Sequence, residues 1–319
     1  MPESKQPYPA ASGASRTGIL LAFLSLYICW GSTYLAIRVG DASMPQPLFA
    51  GVRFLIAGPL LLFLCRLRGM RLRITGWPLV HLILMSILML GGGNLGVVYA
   101  ERHVPSGLTA LLLAVTPLTI AIIEIFLPHG DRMPAKGWMG IALGIVGMAA
   151  LVWPSLCIGM GGDKTRIWAL LWLLAGSFSW TIGSFYLRWA RLPLHPFVAA
   201  GYQMFITGVF DTSLGSSLGL WREFQLTRSG VGALAYLITG GSLLGYTSYI
   251  YLIEHVPISK VSSYTYVNPV IAVLLGIALI GERPEGPEWL GMGIIVVAVF
   301  LLTTAQMRPK QETSPQEAP

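Results

Sequence analysis

The 319-residue sequence predicts an all-α membrane protein of ten transmembrane helices, arranged as two inverted five-helix repeats. Three observations predict it. The composition is 54% hydrophobic and only 11% charged, where a soluble domain carries about 25% charged residues. The charges are segregated into short segments between long apolar runs, and a run of about 20 apolar residues crosses a bilayer as a helix. The chain also repeats itself. His103-Val104-Pro105 returns as His255-Val256-Pro257, and in each copy a second proline, Pro117 or Pro269, follows 12 positions later. A similar shift relates Trp30 to Trp180, Arg38 to Arg188, Trp138 to Trp289 and Gly140 to Gly291, so one module is written twice, about 150 residues apart.

The apolar spans fall at roughly 18–37, 46–65, 77–100, 105–127, 137–154, 167–187, 195–219, 229–252, 257–280 and 288–305. They are continuous and do not alternate, which favours helices over barrel strands. The first run follows Arg16, is long enough to span, and lacks a small-residue cleavage site, so it reads as a retained helix. Residues 18–154 and 167–305 form the two repeats. Residues 1–17 and 306–319, rich in Pro, Ser, Ala, Gln and Glu, read as disordered cytoplasmic tails. Five spans per repeat is an odd number, so the second copy enters the membrane from the opposite side. Inverted repeats of this kind build secondary transporters, with the site where the copies meet.

With the N-terminus inside, 13 of the 21 Lys and Arg residues fall on the inner side and 7 on the outer, with Arg53 within a span. Basic residues stay cytoplasmic, so both termini are expected in the cytoplasm and the chain in the inner (plasma) membrane. The net charge of +7 then reports topology, not a nucleic-acid partner. Cys29, Cys65 and Cys157 lie far apart and show no metal spacing, so free thiols are expected. His81, His103, His129, His195 and His255 all lie near span ends and read as interfacial side chains. No hydrolytic or nucleotide-binding motif is present, so no cofactor is expected and the chain is not expected to be an enzyme. With short loops throughout, the work is done inside the membrane.

Within the spans, the informative residues are those a lipid-facing helix would avoid. Gly91, Gly92 and Gly93 in span three and Gly240 and Gly241 in span eight fall near mid-span. They bare the backbone and weaken the helix by roughly 1 kcal/mol each, which suits either a tight helix crossing or a compliant hinge. Gly140, Gly144 and Gly147 share one face of span five and read as a packing seam, or less readily a dimer seam. Pro117 and Pro269 lie about 18 Å into their spans, where each frees the carbonyl four residues back, at Leu113 and Thr265. Freed carbonyls at that depth are tolerated only against protein or a wet cavity. Each is preceded by a polar residue, Thr116 or Asn268. This midplane pair points to a central cavity.

Trp30 and Trp180 lie about 18–20 Å into spans one and six, although tryptophan favours the membrane interface. Two readings stand: helix packing, or a cavity wall that stacks on a solute and offers the indole N–H as a donor. Tyr34, Asn94, Tyr246, Tyr264 and Tyr266 add hydroxyl and amide groups as candidate binding residues. Arg53, Glu124 and Asp211 are the ionisable groups within spans, which makes them functional candidates. Depth favours an interfacial place for Glu124 and Asp211, and a structural pairing role for Arg53. With no central carboxylate pair or arginine cluster, the cavity favours neutral, zwitterionic or weakly charged amphipathic solutes over nucleotides or polyanions.

Several of these strings resemble a known family. Pro105-Ser106-Gly107-Leu108-Thr109-Ala110-Leu111, Thr116-Pro117, Gly130-Asp131-Arg132 and Trp138-Met139-Gly140 resemble the EamA module of the drug/metabolite transporter superfamily. So do Tyr264-Thr265-Tyr266-Val267-Asn268-Pro269, Gly281-Glu282-Arg283 and Trp289-Leu290-Gly291. Trp30-Gly31-Ser32-Thr33-Tyr34 and Arg53-Phe54 are similar to the same family, and the opening resembles its YedA-type inner-membrane branch. The resemblance covers about residues 18–305. It implies ten helices, cytoplasmic termini, a central cavity and transport, mostly export, of amino acids, other metabolites or drugs. The chain departs from the pattern at Asp131, where a Glu is usual, and at Glu124, opposite Gly276 in the second copy. The expected function is therefore secondary export of a small amphipathic metabolite, amino acid or drug by alternating access. Proton coupling and the choice between monomer and homodimer stay open. An importer or exchanger of the same fold, and a non-transporting scaffold, are the rivals.

Overall fold

The computed structural model describes residues 15–74, 76–94, 134–157, 164–280 and 286–305, with single positions between 96 and 123. Among these the secondary structure is helical throughout. The helices are α1 (Arg16–Asp41), α2 (Leu48–Leu67), α3 (Trp77–Met85), α4 (Ala135–Cys157), α5 (Lys164–Ala190), α6 (Pro196–Ser217), α7 (Arg228–Tyr236), α8 (Thr247–His255), α9 (Ile258–Val261), α10 (Tyr264–Leu275) and α11 (Gly286–Ala305). Three π-helical stretches extend them: Ser86–Gly93 after α3, Leu237–Tyr246 between α7 and α8, and Gly276–Ile280 after α10.

Local chemistry sets several of the ends. The Ser15 side chain accepts from Gly18 N at 2.9 Å and caps α1. Pro196 opens α6, where its missing N–H leaves nothing unpaired. Thr227 caps α7 by accepting from Gly230 N at 3.1 Å, and its hydroxyl donates to Ser43 Oγ at 3.1 Å. Gln225 N donates to Ser43 O at 2.8 Å, so the segment after α1 is tied to the segment before α7.

Among the described residues, three stretches are long and apolar enough to cross a membrane: Arg16–Asp41, Leu48–Leu67 and Ile258–Leu279. Trp77–Gly93, Ala135–Ala150 and Trp289–Leu302 are shorter apolar helices. Helices α5 and α6 are long but carry polar residues turned inward: Ser177, Thr181 and Ser184 on α5, and Gln203, Thr207 and Asp211 on α6, all buried. Large apolar side chains instead cover the outside, among them Leu20, Leu24, Phe63, Trp172, Val296 and Phe300. This is the arrangement a lipid environment permits and water does not.

Lipid tails are as apolar as leucine, so close backbone approach has to hold such helices together. Glycine provides it. A Cβ on Gly58 would come within 2.6 Å of Phe205 N, and one on Gly208 within 2.5 Å of Leu55 N, so α2 and α6 lie almost backbone to backbone. Helices α4 and α11 meet the same way: a Cβ on Gly140 would sit 3.0 Å from Ala298 O, and one on Gly147 3.0 Å from Gly291 O. The glycine face of α4 is thus spent on packing within the chain. Two further pairings are reciprocal, α1 against Leu237–Tyr246 and α5 against Ser86–Gly93.

Three expected spans are not uniform helices, the one at 229–252 because Leu237–Tyr246 within it is π-helical. The run from 77 changes winding at Ser86, whose hydroxyl donates to Leu82 O at 2.7 Å. The run from 257 breaks at Ser262–Ser263, where Ser262 Oγ, Ser263 Oγ and Thr265 Oγ1 each donate to the carbonyl three residues back, at 2.7–2.9 Å. Such local bonds compete with the helix ladder. His81, expected at an interface, is instead buried, with Nδ1 2.5 Å from the Tyr186 hydroxyl. Cys29 and Cys65 are free and buried.

Gly147→Leu should lower stability by about 1–3 kcal/mol through overpacking, read as a lower thermal midpoint in detergent. Gly232→Ala in α7, where a Cβ meets nothing within 4 Å, should hold or slightly raise it.

Candidate functional site

The two tryptophans related by the repeat meet. Trp30 on α1 and Trp180 on α5 lie edge to face with ring centroids 5.7 Å apart. Tyr264 packs on Trp30 at 5.0 Å, and Tyr249 on both tryptophans at 5.2 Å. Other tryptophans, such as Trp77, Trp168 and Trp189, are exposed, as expected of belt residues. Trp30 and Trp180, deep within their helices, are instead packed inward on one another.

Both indole N–H groups are already used, which corrects the reading of them as donors to a solute. Trp30 Nε1 donates to Gly241 O at 3.0 Å. Trp180 Nε1 donates to the Tyr249 hydroxyl at 2.7 Å, that hydroxyl lies 2.7 Å from Ser184 Oγ, and Ser184 Oγ donates to Trp180 O at 2.8 Å. With Tyr249 donating to Ser184, the three bonds close a ring in which each hydrogen is used once. The tryptophans can offer a solute their faces and edges only.

The π-helical stretches explain the glycine clusters. Wide winding and missing side chains leave carbonyls open to a neighbour. On one side Ser179 Oγ donates to Leu88 O at 2.7 Å, and on the other Trp30 Nε1 takes Gly241 O. The glycines also make room. A Cβ on Gly92 would meet Ser179 Oγ at 2.6 Å, and one on Gly93 would meet Trp180 Cε3 at 2.9 Å. A Cβ on Gly241 would meet Arg53 Nη2 at 2.6 Å. Gly240 faces only Tyr236 at the end of α7, at 3.2 Å, and Gly91 only Ser86 O at 3.4 Å.

These walls enclose a cavity of about 160 Å³, the scale that accepts a benzene-sized molecule. Trp30, Tyr34, Asn94, Thr116, Trp180, Tyr246, Tyr264 and Asn268 line it, together with Gly93, Gly241, Pro269 and Arg53. Thr265, whose carbonyl the proline at 269 leaves free, lines it too. Tyr266 does not: it points the other way, against Gly144 on α4 and into a separate core with Ile141, Met148 and Ile295. One residue along a helix turns a side chain by about 100°, enough to move it from one core to the other. Gly91, Gly92, Gly240 and Pro117 also lie off the lining. Asp211 is fully buried on α6 away from the cavity, with neither carboxylate oxygen hydrogen-bonded. Glu124 lies outside the described residues.

The polar groups of the cavity differ in what they have left to offer. Thr116 Oγ1 is paired with Ser177 Oγ at 2.8 Å. The Tyr246 hydroxyl donates to Gln203 Oε1. Asn268 is 2% exposed and its Oδ1 has no hydrogen-bond partner. Arg53 Nε donates to Ser242 Oγ at 2.8 Å, and its guanidinium carbon lies 4.9 Å from the Phe54 ring centroid. Tyr249, Gln203 and Ser184 escaped sequence reasoning. Tyr249 was legible as the residue one turn after Tyr246, whereas Gln203 and Ser184 carry no signal until their partners are placed.

The model of the EamA-like transporter family matches the chain twice, at residues 16–153 and 167–304. The chain belongs to the EamA-like transporter family. Among its relatives in that family is the uncharacterised inner membrane transporter YedA of Escherichia coli K12, 39% identical over 285 residues, covering 88% of this chain and 89% of YedA. Another is the "Probable amino-acid metabolite efflux pump" of the same organism, 25% identical over 90% of this chain and 95% of the pump. A crystal structure of a protein 21% identical to this chain has the same fold, with a TM-score of 0.76 over 91% of this chain and 98% of that one. These EamA relatives are named as transporters or efflux pumps, not enzymes.

Gly245→Ala should perturb the site most directly. Its Cβ would fall 2.4–2.5 Å from Trp30 Cδ1 and Nε1, and the ring is held in place by Gly241 O. Thermal denaturation in detergent should show a loss of about 1–3 kcal/mol.

Proposed function

We propose that this chain is a secondary active exporter of a small amphipathic metabolite, working by alternating access around the Trp30–Trp180 cavity. In this reading residues 18–154 and 167–305 form two inverted repeats of five membrane helices in the inner membrane, with residues 1–17 and 306–319 as cytoplasmic tails. The reciprocal packing supports it, because the first helix of each half lies against the π-helical stretch of the other. So does the family membership, and the export named for one relative.

The observation that carries the proposal is the cavity itself. It lies between the two halves, it is walled by repeat-related tryptophans, and it retains an unbonded buried amide oxygen on Asn268. A scaffold would fill such a position with apolar side chains. Tyr34, Asn94, Thr116, Tyr246 and Tyr264 complete the solute wall. The glycines of the π-helical stretches, with Pro117 and Pro269, are the compliant points about which the halves rock. Tyr266 drops out of the proposed wall and becomes a packing residue between α10 and α4.

A gradient has to drive the cycle, and protons are the proposed source. Asp211 is the group suited to carry one. Both of its oxygens are buried without a partner, a costly state for a charge that a bound proton relieves.

Overexpression should raise tolerance to at least one member of a panel of amino acids, amino-acid analogues and amphipathic drugs, and deletion should lower it. Trp30→Ala, Trp180→Ala and Asn268→Ala should each cut flux of that solute roughly tenfold at unchanged protein abundance, about the loss of 1.4 kcal/mol. Unimpaired flux in all three would remove the site. Vesicle assays of direction separate export from import or exchange.

Asp211→Asn should leave exchange down a solute gradient intact while abolishing the stimulation of flux by an imposed pH gradient. Stimulation equal to that of the parent would show that Asp211 is not the coupling group.

A further inference from the structure

We infer that Arg53 is a carboxylate-recognition residue, and that the solute of this cavity is a flat or aromatic monocarboxylate with a hydrogen-bond donor elsewhere in the molecule. The inference rests on the cavity being the solute site and adds the chemical class of the solute.

Arg53 is a permanent cation on a membrane-spanning helix, a placement that is costly unless the charge is answered. Among the described residues no carboxylate answers it. Of its five N–H donors only Nε is bonded, to Ser242 Oγ at 2.8 Å. The Phe54 ring at 4.9 Å supports the guanidinium plane but cannot replace a counter-ion. The two Nη groups make no hydrogen bond or ion pair with a described residue, and Arg53 lines the cavity. If Arg53 only held α2 to the π-helical stretch, its Nη donors would be expected to be consumed by protein.

The position of the guanidinium is determined by the same residue that holds Trp30. Nη2 lies against Gly241, where a Cβ would approach it to 2.6 Å, and Gly241 O takes the Trp30 indole N–H. The cation and an aromatic wall are therefore side by side. A carboxylate is the planar anion a guanidinium fork binds through two parallel hydrogen bonds. One carboxylate neutralises one arginine, whereas a phosphate dianion would leave net negative charge in a desolvated pocket. Asn268 Oδ1, 2% exposed and unbonded on the same cavity, is an acceptor waiting for an N–H or O–H. The rings of Trp30 and Tyr264 suit a flat body, and about 160 Å³ limits its size.

The test is binding of three matched compounds to the purified full chain in detergent by isothermal titration calorimetry: 4-hydroxybenzoate, its neutral amide, and 4-hydroxyphenyl phosphate. The parent chain should bind the carboxylate at least tenfold more tightly than the amide or the phosphate. Arg53→Gln should bring the carboxylate down to the level of the amide while changing amide affinity less than twofold. Arg53→Lys keeps the charge but loses the fork, and should weaken only the carboxylate, by about threefold or more. It also serves if the glutamine variant does not fold. A parent chain that does not prefer the carboxylate, that prefers the phosphate, or that binds none of the three at millimolar concentration overturns the inference. So does a preference retained in Arg53→Gln. Trp30→Ala separates the two levels: amide binding that is lost with Trp30 but indifferent to charge sinks the carboxylate while the cavity stands, whereas binding untouched by Trp30→Ala sinks the cavity as well.

Discussion

One backbone residue organises the centre of this molecule. Gly241 lends its carbonyl to the Trp30 indole and its missing side chain to the Arg53 guanidinium. Any other residue there would meet Arg53 Nη2 and Thr33 within 3.0 Å. The carbonyl lies in the Leu237–Tyr246 stretch, which is wound as a π-helix, and the bare glycine lets the Trp30 ring approach it. Three helices, α1, α2 and the α7–α8 run, thus converge on one peptide. The orientation of Trp30 follows from that, and with it the ring stack that reaches Trp180, Tyr249 and Tyr264.

The second half of the cavity repeats the logic with different chemistry. Ser86–Gly93 is also π-helical, and its carbonyl at Leu88 is taken by Ser179 rather than by an indole. Trp180 is left to turn its N–H to Tyr249, inside the closed ring that includes Ser184. The duplicated module has therefore diverged where the two copies meet. Each half still uses a donor from the first helix of the other half to satisfy an opened carbonyl, a sound solution in a medium that offers no water to do it.

Packing at the periphery follows the rule for helices in lipid, with glycine and not leucine at the contacts. The α2–α6 and α4–α11 pairs rest on Gly58, Gly208, Gly140 and Gly147. This leaves the polar side chains of α5 and α6 to face inward, and it is why those helices are less apolar than their length would suggest. The polar residues that lower their apolarity are the ones that build the interior: Ser177, Ser184 and Gln203 all bond to groups of the cavity or of the aromatic stack.

What the sequence by itself determined is the helical character, the duplication, and the pairing of Trp30 with Trp180 and of Thr116-Pro117 with Asn268-Pro269. Composition, run length and self-similarity are properties of the chain alone, so they survive without coordinates. The tertiary structure alone decided which way the side chains point. Helices that are apolar nearly all round carry no amphipathic signal, so nothing in the chain says that Tyr266 faces α4 while Asn268, two residues on, faces the cavity. The same holds for the fate of donors. That both indole N–H groups are consumed within the protein, and that the Nη groups of Arg53 are not bonded to any described residue, depends on partners some 60 to 210 positions away. A hydrogen bond is directional and short, and only the packed bundle brings such distant groups within its reach.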